Sequence, residues 1–177
     1  MRKGACMSNY VIAIAREKAS GGSDVAKLLS EKLGIPYYDR ELLRRASDVS
    51  GINESLFGAA DERIGLREMM SAAEKVYDGE ILPPDSNDYV STRNLFSFQA
   101  KVIKEMAKTE SCIIIGRCAD YLLSDHDNVL RVFIHAPLEF RRQRMKSYCL
   151  GMSDREILKK IHDCDKRRSE YYHYYTG

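Results

Sequence analysis

The amino-acid sequence predicts an α/β fold, with a parallel sheet of four strands flanked by helices. Short apolar, β-branched runs recur along the chain, amphipathic segments separate them, and turn-forming residues bound most of these segments. Strands that alternate with helices pair in parallel through right-handed crossovers. With 177 residues, 44% of them apolar, the chain is long enough to bury one core. We therefore expect a single domain over residues 1–177.

Periodicity and end signals predict where each element lies. The strands are predicted at residues 10–14, 35–39, 112–115 and 128–136. Helical spacing of apolar residues predicts helices over 23–33, 40–50 and 94–109, with Ser23 as the N-cap of the first and Gly34 closing it. Pro137 begins a further helix, and Ser153 with Glu156 forms a capping box that opens the last one.

Residues 53–90 interrupt this alternation. Asn53 is typical of the N-cap of a short helix, residues 66–77 have helical periodicity, and residues 78–88 contain two prolines among turn formers. We therefore predict a helical insertion here, and expect it to be the part of the chain that moves most.

The charge distribution favours a compact anionic partner. The chain has 28 Lys and Arg residues and 26 Asp and Glu residues, a net charge of +2, which argues against a general nucleic-acid binder. The basic surplus is local, with ten Lys/Arg and five Asp/Glu in residues 139–168.

The cysteines and the lack of a targeting segment predict a cytoplasmic protein with reduced thiols and no membrane partner. The five cysteines have no CxxC spacing, and the sequence has no signal peptide and no long apolar run. The oligomeric state stays open.

The loop after the first strand has the composition of a phosphate-binding loop. Residues 16–23, REKASGGS, lead into a helix, and a helix N-terminus favours an anion through its unpaired N–H groups and partial positive charge. Against the pattern Gly-x4-Gly-Lys-Ser/Thr, Gly21 and Ser23 match, whereas Arg16 replaces the first Gly and Gly22 replaces the Lys. Half of the motif is therefore present, and an ordinary strand-to-helix turn explains it equally well.

Ligands of parallel α/β sheets bind beyond the carboxyl ends of the strands. That edge collects residues 16–23 after the first strand, Asp39 and Arg40 after the second, Arg117 after the third, and Arg141, Arg142 and Arg144 on the helix after the fourth. Such a cationic edge is suited to polyphosphate chemistry, in which catalysis is largely positioning and charge neutralisation. Asp39 as a helix cap, and the arginines as a solvated surface, are the purely structural interpretations.

An ordered series of segments over about residues 9–177 resembles the cytidylate kinase-like family, a branch of the nucleoside monophosphate kinases. The segments are AREKASGGS, LGIPYYDRELL, IIIGRCADYLL, VFIHAPLEFRRQRM and IHDCDKRRSEYYHYYTG. The resemblance implies a P-loop NTPase-like fold and transfer of the ATP γ-phosphoryl group to a CMP-like or dCMP-like nucleotide, with Mg²⁺. It implies that residues 53–90 are the acceptor-binding lobe and residues 138–170 a lid, while the family's fifth strand is absent from these 177 residues.

The resemblance also implies roles for single residues. Ser20, Gly21, Gly22 and Ser23 would hold the donor phosphates together with Arg16 and Lys18, and the Ser23 hydroxyl would face Mg²⁺. Asp39 would hold the metal through water or orient the acceptor, whose phosphate Arg117 and Arg40 would bind. The lid arginines would be Arg141, Arg144 and Arg168, and the first two share a helix face because they lie three residues apart.

Two departures from the true cytidylate kinases leave the activity open. Gly22 stands in place of a Lys and Cys118 in place of an Asp, while Lys18 is either a substitute cation or a solvated loop residue. One hypothesis is a kinase for a nucleoside monophosphate or a similar small phosphorylated acceptor. The alternatives are a nucleotide-binding protein that has lost transfer, and a kinase whose acceptor is no nucleotide.

Overall fold

Four parallel strands form one sheet. The computed structural model describes residues 9–61 and 77–177. The strands are Val11–Arg16 (β1), Tyr37–Tyr38 (β2), Cys112–Ile115 (β3) and Val129–Ile134 (β4), in the spatial order β2-β3-β1-β4. In register, Ala13 of β1 lies opposite Ile114 of β3 and Arg131 of β4. The predicted parallel α/β sheet is confirmed, and the strand that leads into the small-residue loop lies between two neighbours.

Seven helices surround the sheet in the described part of the chain. They are Gly22–Leu33 (α1), Glu41–Ser50 (α2), Glu54–Ala60 (α3), Thr92–Thr109 (α4), Ala119–Leu122 (α5), Leu138–Tyr148 (α6) and Asp154–Thr176 (α7). The N-cap at Asn53 and the capping box at Ser153 are confirmed. The helix predicted over residues 66–77 lies, apart from Tyr77, outside the described residues. None of the described helices has the length and apolar character needed to span a membrane.

The predicted N-cap of α1 is wrong, and the alternative interpretation of Asp39 as a helix cap is excluded. The N-cap of α1 is Gly21, whose φ of 96° is left-handed, and Ser23 is already inside the helix. Glycine reaches this φ without steric cost, so the loop turns into the helix two residues earlier than Ser23 indicated. The N-cap of α2 is Arg40 and no side chain caps that helix, which excludes Asp39 as its cap.

The core lies on both faces of the sheet because successive strand residues point to opposite sides. Ile12 and Ile14 of β1 pack with Ala26 of α1, whereas Val11 and Ala13 belong to the larger cluster around α2 and α4. The end of α7 joins that larger cluster, where the Tyr175 ring stacks on Phe96 of α4 with 3.6 Å between ring centroids. The last helix is therefore anchored across the carboxyl edge of the sheet.

Candidate functional site

Two cavities lie at the carboxyl ends of the strands. The smaller, of about 190 Å³, is lined by the loop after β1, the start of α1, Arg144 of α6 and Arg168 of α7. The larger, of about 790 Å³, is lined by residues after β1 and β3, by β4 and by the second half of α7. Arg16, Glu17 and Arg168 line both cavities, so these residues mark the boundary between them.

The loop before α1 is a closed turn that brings Gly22 against the Arg16 side chain. The amide and hydroxyl of Ser20 both donate to the carbonyl oxygen of Glu17, at 3.4 and 3.0 Å. Ala19 has a left-handed φ of 62°. A Cβ atom on Gly22 would lie 2.7 Å from the Cβ of Arg16, nearer than side-chain carbons approach each other. The Arg16 side chain therefore crowds any side chain at residue 22 and favours glycine there.

Cations from three elements surround the smaller cavity. Arg16 is the last residue of β1 and Lys18 lies in the loop that follows it, while Arg144 comes from α6 and Arg168 from α7. Arg144 forms an ion pair with Asp24 in the first turn of α1. Arg168 donates through Nη1 to the carbonyl oxygen of Arg16 at 3.2 Å. With Glu17 and Asp24 also in the lining, the four cations leave a net positive charge beside a helix N-terminus, which suits a polyanion.

Asp165 of α7 joins α6 to the loop. Its Oδ1 accepts from the backbone N–H of Lys18 and its Oδ2 from Nη1 of Arg141, both at 2.6 Å. Sequence reasoning missed Asp165 as a site residue, although it lies within the final segment that carries the resemblance. The carboxylate holds a loop amide and a guanidinium together, so the geometry of the loop depends on the position of α7.

Arg141 lies in this junction and lines neither cavity. The residue is 7% exposed, and its guanidinium lies between Asp165 and Glu17, whose Oε2 is 3.5 Å from Nε. The same Glu17 oxygen accepts from the N–H of Ala136, just before α6. Arg142, next in sequence, forms ion pairs with Glu139 and Asp154 on the surface. Of the arginines on α6, only Arg144 faces the smaller cavity.

The turn after β3 has an unusual backbone. Gly116, Arg117 and Cys118 are all left-handed, with φ of 72°, 54° and 55°. For residues other than Gly and Asn or Asp this conformation costs about 1–2 kcal/mol each, and such strain persists where surrounding contacts impose it. Cys118 is buried at the start of α5. The turn directs the Arg117 side chain inward.

Arg117 is 3% exposed and is held by two carboxylates. Its Nη2 donates to Oδ2 of Asp61 at 3.0 Å, and its Nη1 donates to Oδ1 of Asp39 at 3.4 Å. The same Asp39 oxygen is 3.9 Å from Nη2 of Arg16, so Asp39 lies between the two arginines. Asp61 was missed by the sequence analysis, because nothing in its local pattern indicates a partner 56 residues away. Arg40, which is exposed, lines neither cavity.

The donor groups suit a magnesium ion bound mainly by nucleotide. Within the described ranges, no three His, Cys, Asp or Glu side chains are grouped so as to hold a metal. Mg²⁺ in nucleotide sites keeps waters and phosphate oxygens as ligands and needs few from the protein. Ser23 fits one such ligand, because its side chain is exposed at the start of α1 beside the smaller cavity. Asp39 lines neither cavity and faces two guanidinium groups.

The fold and the site define a phosphate-binding α/β protein of the P-loop kinase class. They combine a parallel sheet, a small-residue loop that runs into a helix N-terminus, and cations from three elements above that loop. The family model described as "Cytidylate kinase-like family" matches residues 11–177. The chain therefore belongs to the cytidylate kinase-like family, and its activity class is that of a nucleotide kinase.

Individual relatives agree with this assignment. The chain is 25% identical to the cytidylate kinase of Fervidobacterium nodosum, over 89% of this chain and 80% of that protein. It is 29% identical to the cytidylate kinase of Aquifex aeolicus, over 90% of this chain and 80% of that protein. The crystal structure of an uncharacterized protein from Eubacterium ventriosum superimposes with a TM-score of 0.64 at 27% identity, covering 94% of this chain and 78% of that one.

Proposed function

We propose that this protein transfers the γ-phosphoryl group of ATP to a nucleoside monophosphate of the CMP or dCMP type. The observation that carries the proposal is the set of cations from the loop, α6 and α7 around the smaller cavity at the start of α1. The acceptor class is inferred from the two relatives named cytidylate kinase. A cytoplasmic location fits this activity and the described cysteines, none of which forms a disulfide.

The donor nucleotide binds at the smaller cavity in this proposal. Gly21, Gly22 and Ser23 present backbone N–H and hydroxyl groups to its phosphates, as a helix N-terminus does for anions. Ser20, whose N–H and hydroxyl both donate to Glu17, holds the turn that places them. Lys18, Arg144 and Arg168 neutralise its charge. Ser23 is the residue whose hydroxyl would contact Mg²⁺, and the ion would supply positive charge against the phosphate groups during transfer.

The acceptor binds on the side of Arg117, which lines the larger cavity. Its phosphate has to compete with Asp39 and Asp61 for the guanidinium, since both carboxylates already contact it. Asp39 orients the acceptor indirectly, by holding the Arg117 guanidinium, and Arg40 adds charge at the start of α2. The junction of Asp165 with Arg141 holds the lid helices against the loop, which excludes water from the site.

A nucleotide-binding protein without transfer is the second candidate. It is favoured by Gly22 in place of Lys, and by an Arg117 that is buried and engaged by carboxylates. A kinase for another small phosphorylated acceptor is compatible with the same cationic edge.

The test is a coupled ADP-release assay with Mg·ATP that compares CMP, dCMP, UMP, AMP and GMP as acceptors. We expect CMP or dCMP to stimulate release, and Arg117→Ala to abolish the stimulation while Lys27→Ala, an exposed cation on α1, leaves it unchanged. Thermal unfolding of Arg117→Ala, together with direct ATP binding, establishes that the variant is folded. ATP binding without stimulation by any acceptor would refute nucleotide phosphorylation and favour the second candidate.

A further inference from the structure

The two departures of the loop from the Gly-x4-Gly-Lys-Ser/Thr pattern are one structural feature. Arg16 stands at the first Gly position and Gly22 at the Lys position. A Cβ atom on residue 22 would lie 2.7 Å from Cβ and 3.0 Å from Cγ of Arg16. The Arg16 side chain therefore occupies the space in which a side chain on residue 22 would begin. Compared with the pattern, the long cationic side chain stands at residue 16 in place of a glycine, and the glycine stands at residue 22 in place of the lysine.

Arg16 is placed at the point where the donor and acceptor cavities meet. Its side chain is 9% exposed, and the residue lines both the smaller cavity, with Gly21 to Ser23, and the larger cavity, with Arg117. A phosphoryl group that passes from donor to acceptor has to cross this boundary. Arg168 also lines both cavities, and it donates to the Arg16 carbonyl oxygen.

The position of Lys18 differs from that of Arg16. The backbone N–H of Lys18 donates to Asp165, and the residue lines only the smaller cavity. The Arg16 guanidinium lies 3.9 Å from Asp39, which also contacts Arg117, and Arg16 lines both cavities. A guanidinium is permanently charged and presents several donors in a rigid fork, which suits phosphate oxygens.

We propose that Arg16 supplies the positive charge that a lysine at residue 22 supplies in a complete loop, and that its guanidinium binds the β- and γ-phosphoryl oxygens of the nucleoside triphosphate. The inference rests on the proposed function for the location of the donor nucleotide. It assigns to Arg16 the contact that distinguishes a triphosphate from a diphosphate.

Nucleotide binding tests this role independently of turnover. We expect Arg16→Ala to weaken ATP binding about tenfold more than ADP binding in calorimetric titrations, because only ATP has the γ-phosphoryl group. Turnover should fall by about 100-fold, as for loss of one donor to developing charge. Arg16→Lys should retain part of the preference for ATP over ADP and part of the turnover, and Lys27→Ala should retain both in full. An ATP-to-ADP affinity ratio unchanged in a folded Arg16→Ala protein would overturn the proposal.

A variant that restores the motif tests the exchange directly. Arg16→Gly with Gly22→Lys recreates Gly-x4-Gly-Lys-Ser and removes the Cβ atom that blocks residue 22. We expect this double variant to recover ATP discrimination lost in Arg16→Gly, while Gly22→Lys alone does not gain activity over wild type. A folded double variant that binds ATP no better than Arg16→Gly would overturn the proposal. If the wild-type protein binds ATP yet no acceptor stimulates ADP release, the proposed phosphotransfer is refuted. The comparison of ATP and ADP affinities still decides whether Arg16 binds the γ-phosphoryl group.

Discussion

Replacing Gly22 by Ala isolates the contact between the loop and α1. No left-handed φ is imposed at Gly22, so the backbone accepts alanine and the space is the only obstacle. Reducing unfolded-chain entropy by Gly→Ala gains about 0.4–1 kcal/mol, whereas overpacking costs about 1–3 kcal/mol. The carbon–carbon distance of 2.7 Å requires the backbone of β1 or α1 to shift. We therefore expect a net loss of about 1–2 kcal/mol in the free energy of unfolding.

Thermal and urea unfolding measure this loss, and the chain offers a matched control. For a protein of this size, the expected loss corresponds to a fall in Tm of about 2–8 °C. Gly58 lies inside α3, and a Cβ atom there meets nothing within 4 Å. Gly58→Ala should therefore stabilise the protein by about 0.4–1 kcal/mol, opposite in sign to the change at Gly22.

A double-mutant cycle with Arg16 decides whether the clash is the cause. Arg16→Ala keeps the Cβ atom that an alanine side chain introduced at residue 22 would meet, so the penalty of Gly22→Ala should persist in that background. Arg16→Gly removes that atom and should abolish the overpacking cost, which gives a coupling energy of about 1–3 kcal/mol. Equal stability changes for Gly22→Ala in wild type and in the Arg16→Gly background would refute the reasoning.

Three further predictions follow from contacts around the site. Asp165→Asn should lower stability by about 1–3 kcal/mol and reduce turnover, because the buried Arg141 guanidinium loses one of its carboxylate partners and keeps Glu17. Asp163→Asn, at an exposed position on the same helix, should change neither thermal unfolding nor ADP release. Burial and a hydrogen bond to a glutamate raise the pKa of Tyr38 to about 12, so the contribution of its hydroxyl is present below about pH 10 and declines toward pH 12. Tyr38→Phe should therefore cost about 1 kcal/mol in urea unfolding at pH 8 and less at about pH 11. Burial raises the pKa of Cys112 to about 12, so native maleimide labelling followed by mass spectrometry should modify the partly exposed Cys149 and spare Cys112.

Much of the sheet was predictable because local patterns and tertiary packing agree. Residues 112–115 are apolar throughout, and both faces of this strand are covered, so no polar residue interrupts the run. The strand predicted at 35–39 forms only at Tyr37–Tyr38, where the backbone pairs with Ile113 and Ile114 of β3. The length of that strand therefore depends on a neighbour that lies far away in the chain.

Side-chain partnerships at the candidate site were not predictable in the same way. The hydrogen bond from the Lys18 amide to Asp165 spans 147 residues. Arg141 and Arg144 were placed together on one helix face, yet only Arg144 lines the smaller cavity. The packing of α7 against the loop brings Asp165 to Arg141. Spacing within a helix indicates which residues share a face, but it does not specify which carboxylate of another element lies opposite each of them.

The sequence by itself determined the strand, the small-residue loop and the helix, because β-branched runs, glycines and helical periodicity are local signals. It also determined that cations follow several strands. Only the tertiary structure decided which of these cations meet at the loop. It showed that Arg16 and Gly22, which are separate mismatches in the linear motif, lie in contact. A motif compares residues position by position, whereas the fold allows a side chain from one position to fill the space of another.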